Sequence, residues 1–255
     1  MAQLTTATAA SSGIRNKAID RYLFTYNVFS SLGWGYALGG TLTHLYREYH
    51  ASSEPSALTK LKHAGRSVYA SGMGKFVLAL EGMAIQEIFQ ACNGWVQTSA
   101  STVASQVFAR LFVLIYIVER SAAVSFPARP VIAHLHNHAP IETDKPRQAQ
   151  KSAGYALLVC VWALAECTRY PYYALLYLKG PSTPIGRLTA LFQYLRYTTF
   201  ILLYPLGVGG AELTLFRKKL PPLDKLKAAS MREKLDTVIV FLALLAWPKG
   251  VFTCV

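Results

Sequence analysis

The sequence predicts an all-α membrane protein, a single bundle of about six transmembrane helices. Three observations predict it. Hydrophobic residues make up 53% of the 255 residues and charged residues only 15%, whereas a water-facing surface calls for roughly 25% charged residues. The apolar residues collect in six stretches, each near the ~20 residues that a helix needs to cross ~30 Å of hydrocarbon. The basic residues lie mostly between those stretches: 26 Lys and Arg stand against 13 Asp and Glu, a formal charge of +13. That is the pattern of loops set against anionic headgroups. Nucleic-acid binding at this charge would need a compact basic face on a soluble fold, and the distribution of charge supplies none.

The six stretches are residues 22–46, 76–95, 102–118, 153–178, 188–216 and 235–255. Tyr22, Trp95, Tyr177 and Trp247 stand near their ends, where aromatic rings sit at headgroup level. Glu81 and Glu87 interrupt the second stretch, and Pro248 and Lys249 the sixth. No internal repeat or domain boundary divides the chain, so residues 1–255 read as one domain. Residues 1–18 read as a flexible N-terminus. The first twelve are small and polar without an apolar centre, which leaves the first transmembrane helix as the targeting signal. Residues 120–151, rich in Pro and His, read as a polar loop. His134, His136 and His138 alternate within it, but a metal needs convergent ligands with a supporting shell, so the run reads as solvated. No HxxHH pattern and no DxxD carboxylate pair occurs, which excludes di-iron lipid enzymes and magnesium-dependent prenyl-diphosphate enzymes. Cys92, Cys160, Cys167 and Cys254 fall in or beside apolar runs and read as small buried thiols.

Charged groups at bilayer depth cost at least ~2.5 kcal/mol each by insertion scales, so each is a functional candidate. The bundle holds Glu81, Glu87, Arg110, Glu166, Arg169, Arg196 and Glu212. Glu166 and Arg169 are three apart on one helix and can pair; a structural clamp is the simpler use of that pair. Glu87 and Arg110 offer a second clamp between neighbouring spans. The densest signal is QYLRYTTFILLYPLGVGGAEL, residues 193–213. Pro205 cannot donate a backbone hydrogen bond, so the helix breaks there, and Gly207, Gly209 and Gly210 permit close packing or non-helical torsions. A broken helix at membrane depth lines a cavity or is buried in protein. Tyr204 sits just before this break and Glu212 beyond it.

These residues carry a resemblance. The chain is similar to the very-long-chain (3R)-3-hydroxyacyl-CoA dehydratases, also called protein-tyrosine-phosphatase-like membrane proteins. The likeness runs from Tyr22, Tyr26, Asn27, Gly33 and Trp34 through Glu87, Gln106 and Arg110. It is strongest in WALAECTRYPYY (Trp162, Glu166, Arg169, Tyr170) and LRYTTFILLYPLGV (Arg196, Tyr197, Phe200, Tyr204, Pro205, Gly207). No Cys is followed by Arg six positions on, so the older name implies no phosphatase chemistry. The resemblance implies a lyase of the fatty-acid elongation cycle, a multi-pass protein of the endoplasmic reticulum membrane. It implies acyl-CoA as substrate, membrane lipid and other elongation-cycle enzymes as partners, no nucleic acid, and no metal or redox cofactor. Its catalytic Tyr and Glu map to Tyr204 and Glu212, with Arg169, Tyr170, Glu166, Arg196, Tyr197 and Gly207 as substrate-binding or supporting residues.

Dehydration removes a weakly acidic proton beside the thioester and expels hydroxide, so one group takes a proton and another gives one. Glu can do either, and Tyr can donate its phenolic proton; the sequence leaves the assignment open. It also departs from the family pattern, with Glu212 eight residues after Tyr204 instead of seven. On a continuous helix eight residues turn through about 800°, leaving the carboxylate ~80° from the tyrosine. A one-residue π-type bulge at Gly209 and Gly210 absorbs such an insertion. A diverged relative with another substrate and a catalytically silent scaffold remain as alternatives. The basic run at residues 217–234 is a candidate for holding the CoA phosphates. Three hairpins (47–75, 120–151 and 217–234) carry 17 basic residues against six on the other side. The positive-inside rule places them in the cytosol, while the resemblance implies cytosolic termini; we take the latter as the expected topology.

Overall fold

The computed structural model describes residues 17–119, 149–178, 184–220, 231, 234–235 and 237–243, and within them contains helices and no strand. α1 (Lys17–Ala51) is a 35-residue helix, ~52 Å long at 1.5 Å per residue. α2 (Ala57–Ser67), a π-helical turn at Tyr69–Met73, α3 (Gly74–Met83) and α4 (Ile85–Cys92) follow as one helical run. α5 (Ala100–Leu111) continues into a π-helical segment, Phe112–Glu119. After α6 (Ala153–Leu176) come α7 (Pro184–Pro205), a third π-helical segment at Leu206–Glu212, and α8 (Leu213–Lys219).

Among the described residues, three helical runs are long and apolar enough to cross a membrane: Ala57–Cys92, Ala100–Glu119 and Pro184–Lys219. They correspond to the second, third and fifth expected stretches. α1 and α6, the first and fourth, have the length, but Asn27, Ser30 and Thr41 on α1 and Glu166 on α6 lower their hydropathy. All four are buried against other helices, as polar groups inside a membrane bundle are. Of the sixth stretch, residues 237–243 are helical, and Val240 is buried in the core.

One expectation is corrected. The hairpin at 47–75 is largely helical, and the helical run that carries the second stretch starts at Ala57 instead of near residue 76. α2 escapes a hydropathy reading because its buried face is Ala64 and Gly65, while Leu58 and Leu61 face outward. Ser56 starts it with a capping box, its hydroxyl accepting from the Thr59 N–H at 3.2 Å. Gly72, at φ +95°, absorbs the kink in the π turn that follows. The thiols also differ from expectation: Cys92 is exposed and Cys160 and Cys167 are half-buried, all three free.

α6 is the centre of the molecule, with α1, α2, α7, the Leu206–Glu212 segment and α8 packed on it. It runs antiparallel to the chain from α7 to α8. Gly207 lies against Val161 and Gly210 against Leu157, so close that an added Cβ would sit 3.1 Å from each neighbour. Small residues at these crossings let two backbones approach, as membrane helix pairs require. The core between them is Trp34, Val113, Leu114, Ile117, Tyr155, Leu158, Leu215 and Phe216.

Candidate active site

A cavity of about 980 Å³ opens between α5, α6 and the α7–α8 run. Its walls are mainly apolar, with Phe108, Phe112 and Ile115 on one side and Phe200, Leu203 and Val208 on another. Polar groups reach it from four directions: Glu87 from α4, Arg110 from α5, Glu166 and Arg169 from α6, and Tyr204 and Glu212 from either side of the helix break.

The break itself explains how Glu212 arrives there. Pro205 closes α7 because it has no N–H to extend the α-helical ladder. The next seven residues, Leu206–Glu212, adopt the wider π-helical repeat, in which each turn takes up an additional residue. The eight-residue spacing therefore leaves Tyr204 and Glu212 facing one cavity. Glu212 is buried, and its Oε1 accepts a hydrogen bond from Trp162 Nε1 at 3.3 Å.

Beside this pair lies a network of five charged side chains. Arg169 donates both terminal nitrogens to Glu87, at 2.8 and 3.0 Å, and its Nε to Glu166 Oε2 at 2.5 Å. Arg110 donates to the other oxygen of Glu166 at 2.5 Å and forms an ion pair with Glu81. Tyr170 and Tyr26 both donate to Glu87 Oε1, at 2.5 and 3.2 Å. The guanidinium of Arg110 also lies over the Trp162 ring at 4.8 Å and near that of Trp34 at 5.6 Å. Two cations set between three carboxylates leave every formal charge with an opposite neighbour, which is the condition for charges at membrane depth.

The structure brings together most of the residues singled out from sequence. Tyr204, Glu212, Glu166, Arg169 and Gly207 line the cavity; Tyr170 supports it from behind through Glu87. Arg196 and Tyr197 lie outside the lining. Arg196 sits among the rings of Tyr172, Tyr173 and Tyr197 at 5.0–5.7 Å, and Tyr197 is 65% exposed. The Glu166–Arg169 pair forms as spaced, but the second clamp is exchanged: Glu87 binds Arg169, and Arg110 binds Glu81 and Glu166. Missed from sequence were the bonds from Trp162 to Glu212 and from Tyr26 to Glu87. A signal for the first was present, since Trp162, Glu166 and Arg169 recur at i, i+4 and i+7 and so share one face of α6.

Among the described residues no group of three or more His, Cys, Asp or Glu is placed to hold a metal ion. The His134–His138 run lies outside them. The arrangement offers proton-transfer groups, a carboxylate and a phenol, at the edge of an apolar chamber.

Comparison with known proteins identifies the family. The sequence model of the family described as "Protein tyrosine phosphatase-like protein, PTPLA" matches residues 81–255. The very-long-chain (3R)-3-hydroxyacyl-CoA dehydratase hpo-8 of Caenorhabditis elegans is 30% identical over 200 residues, 78% of this chain and 70% of that protein. The human very-long-chain (3R)-3-hydroxyacyl-CoA dehydratase 2 is 28% identical over 195 residues, 76% of this chain but only 58% of its own length. A probable very-long-chain (3R)-3-hydroxyacyl-CoA dehydratase of Schizosaccharomyces pombe is 26% identical over 55% of this chain and 53% of its own. No solved structure matches the chain. With residues 81–255 matched by the family model and a relative 30% identical over 78% of its length, the chain belongs to the protein tyrosine phosphatase-like (PTPLA) family.

Proposed function

We propose that the protein is a lyase that dehydrates a long or very-long-chain 3-hydroxyacyl-CoA to the trans-2-enoyl-CoA. The observation that carries this reading is the convergence of Tyr204 and Glu212 on one apolar cavity despite their shifted spacing. The names of the relatives support the substrate class. The apolar walls suit an acyl chain, and the polar end suits the reacting carbons.

Glu212 is the base in this proposal. An indole N–H aimed at its carboxylate stabilises the anion, and the anion is the form that accepts a proton. It takes the proton from C2, next to the thioester. The C2 electron pair forms the double bond as the C3–O bond breaks, and the phenol of Tyr204 protonates the departing oxygen, releasing water. Transfer of the proton from Glu212 back to Tyr204 restores both groups. The Glu87–Arg169–Glu166–Arg110 network holds the wall beside them rigid without taking part in the proton traffic. We place the protein in the endoplasmic reticulum membrane beside other enzymes of the elongation cycle.

Detergent-solubilised protein incubated with 3-hydroxyacyl-CoAs of defined chain length tests the reading. Enoyl-CoA is the expected product. Turnover of a different thioester alone would point to a diverged substrate, and no turnover by folded protein would point to a scaffold.

A further inference from the structure

Glu212 reaches the cavity at the end of a π-helical segment, a geometry frequent at functional sites. Trp162, on the facing helix α6, is placed to hold its carboxylate. It is 7% exposed, and a buried indole seeks a partner for its single N–H. Its partner is Glu212 Oε1, 50 residues away in sequence, at 3.3 Å.

The ring that carries this donor is itself immobilised. The Arg110 guanidinium lies 4.8 Å from the Trp162 ring centroid and is in turn anchored to Glu81 and Glu166. Val161, the residue before Trp162, packs on Gly207, which holds the π segment close to α6 beside the indole. A cation over the ring also draws on its π electrons, which sharpens the N–H as a donor to an anion. The charged network and the reacting carboxylate are thus joined through one aromatic ring.

We infer that Trp162 is a positioning residue of the reaction: its N–H orients the Glu212 carboxylate toward the cavity, and Arg110 fixes Trp162. The inference rests on the reading of Glu212 as the catalytic base.

Trp162→Phe keeps a ring and removes the donor. A lost hydrogen bond to a charged group predicts a fall in kcat of about 10–100-fold, with KM for acyl-CoA within about twofold. Because Phe is smaller, a second variant separates packing from hydrogen bonding. Trp162→benzothienylalanine, introduced by codon reassignment, keeps the bicyclic shape and the face offered to Arg110 but has sulfur in place of N–H. Loss of kcat in this isostere equal to that of Trp162→Phe supports the inference. An isostere as active as the wild type overturns it, because packing alone would then account for the phenylalanine variant. Glu212→Gln is measured beside them. If it is inactive while the isostere is fully active, only the positioning role fails; if it is fully active, the reading of Glu212 fails and the positioning role with it.

Discussion

Arg169 shows why single side chains matter so much in this bundle. It meets Glu87 and Glu166 at once, so its removal takes from Glu87 its cationic partner and leaves Glu166 to Arg110 alone. Breaking a buried pair from one side costs about 3–5 kcal/mol. Arg169→Met is therefore expected to lower the unfolding midpoint in detergent sharply, whereas Arg196→Met, whose partners among the described residues are aromatic rings, is expected to shift it little. Equal shifts would show that the network carries no special load. At the reacting centre, Tyr204→Phe is expected to cut kcat at least ~100-fold, and combining it with Glu212→Gln to cost much less than the product of the two, because the groups act in one step. What could be read from sequence at this scale was local. Glu166 and Arg169 are three apart on one helix, so their pairing follows from spacing. Their link to Glu87, 82 positions from Arg169, does not, because it depends on which face α4 turns to α6, and nothing in the spacing of charges sets that.

In the proposed reaction the helix break is the element that delivers the carboxylate to the cavity. A seven-residue spacing on a regular helix returns a carboxylate to within ~20° of the tyrosine, and the eight-residue spacing here is reconciled by the Leu206–Glu212 π segment. Deleting Gly209 shortens the spacing to seven and lets the segment revert to a regular helix. Activity retained or improved is the expected result; inactivity of a folded deletion variant would mean that the π geometry has a further role. The paired glycines made this bulge legible in advance. Tyr197 lies outside the cavity lining, because proximity in a motif is not position along an axis. It lies seven residues before Tyr204, on the same side but ~10.5 Å further along the helix, beyond Phe200 where the cavity lining ends. At the other end, α8 finishes in Arg217, Lys218 and Lys219. Lys219 lies 5.4 Å from the ring of Tyr116, a residue of the cavity wall. Reversing these three charges is expected to raise KM for acyl-CoA far more than for a thioester lacking the CoA phosphates; equal effects on both substrates would remove a phosphate-binding role.

At the scale of the whole molecule, composition announced a membrane helix bundle because apolar content and sparse charge leave few alternatives. The order of spans could be read wherever the buried face was large and apolar, as in Phe112–Glu119. It could not be read in α2, where Gly65 lies against Ala153 and Ala156 of α6 and closes the helix pair by being small. Nor does sequence reveal that α6 is the hub, since centrality depends on how the other helices wrap it. Topology remains a matter of charge against kinship: glycosylation tags at the N-terminus and within residues 120–151 are expected to leave the N-terminus unmodified, and a glycosylated N-terminus would reverse the orientation. In the proposed reaction a carboxylate, delivered to an apolar cavity by a broken helix, removes the proton in a dehydration. The decisive test is turnover of 3-hydroxyacyl-CoA to enoyl-CoA by Glu212→Gln protein matched to the wild type in thermal unfolding. A fall in kcat of at least ~100-fold is the predicted result, and turnover at the wild-type rate would contradict it.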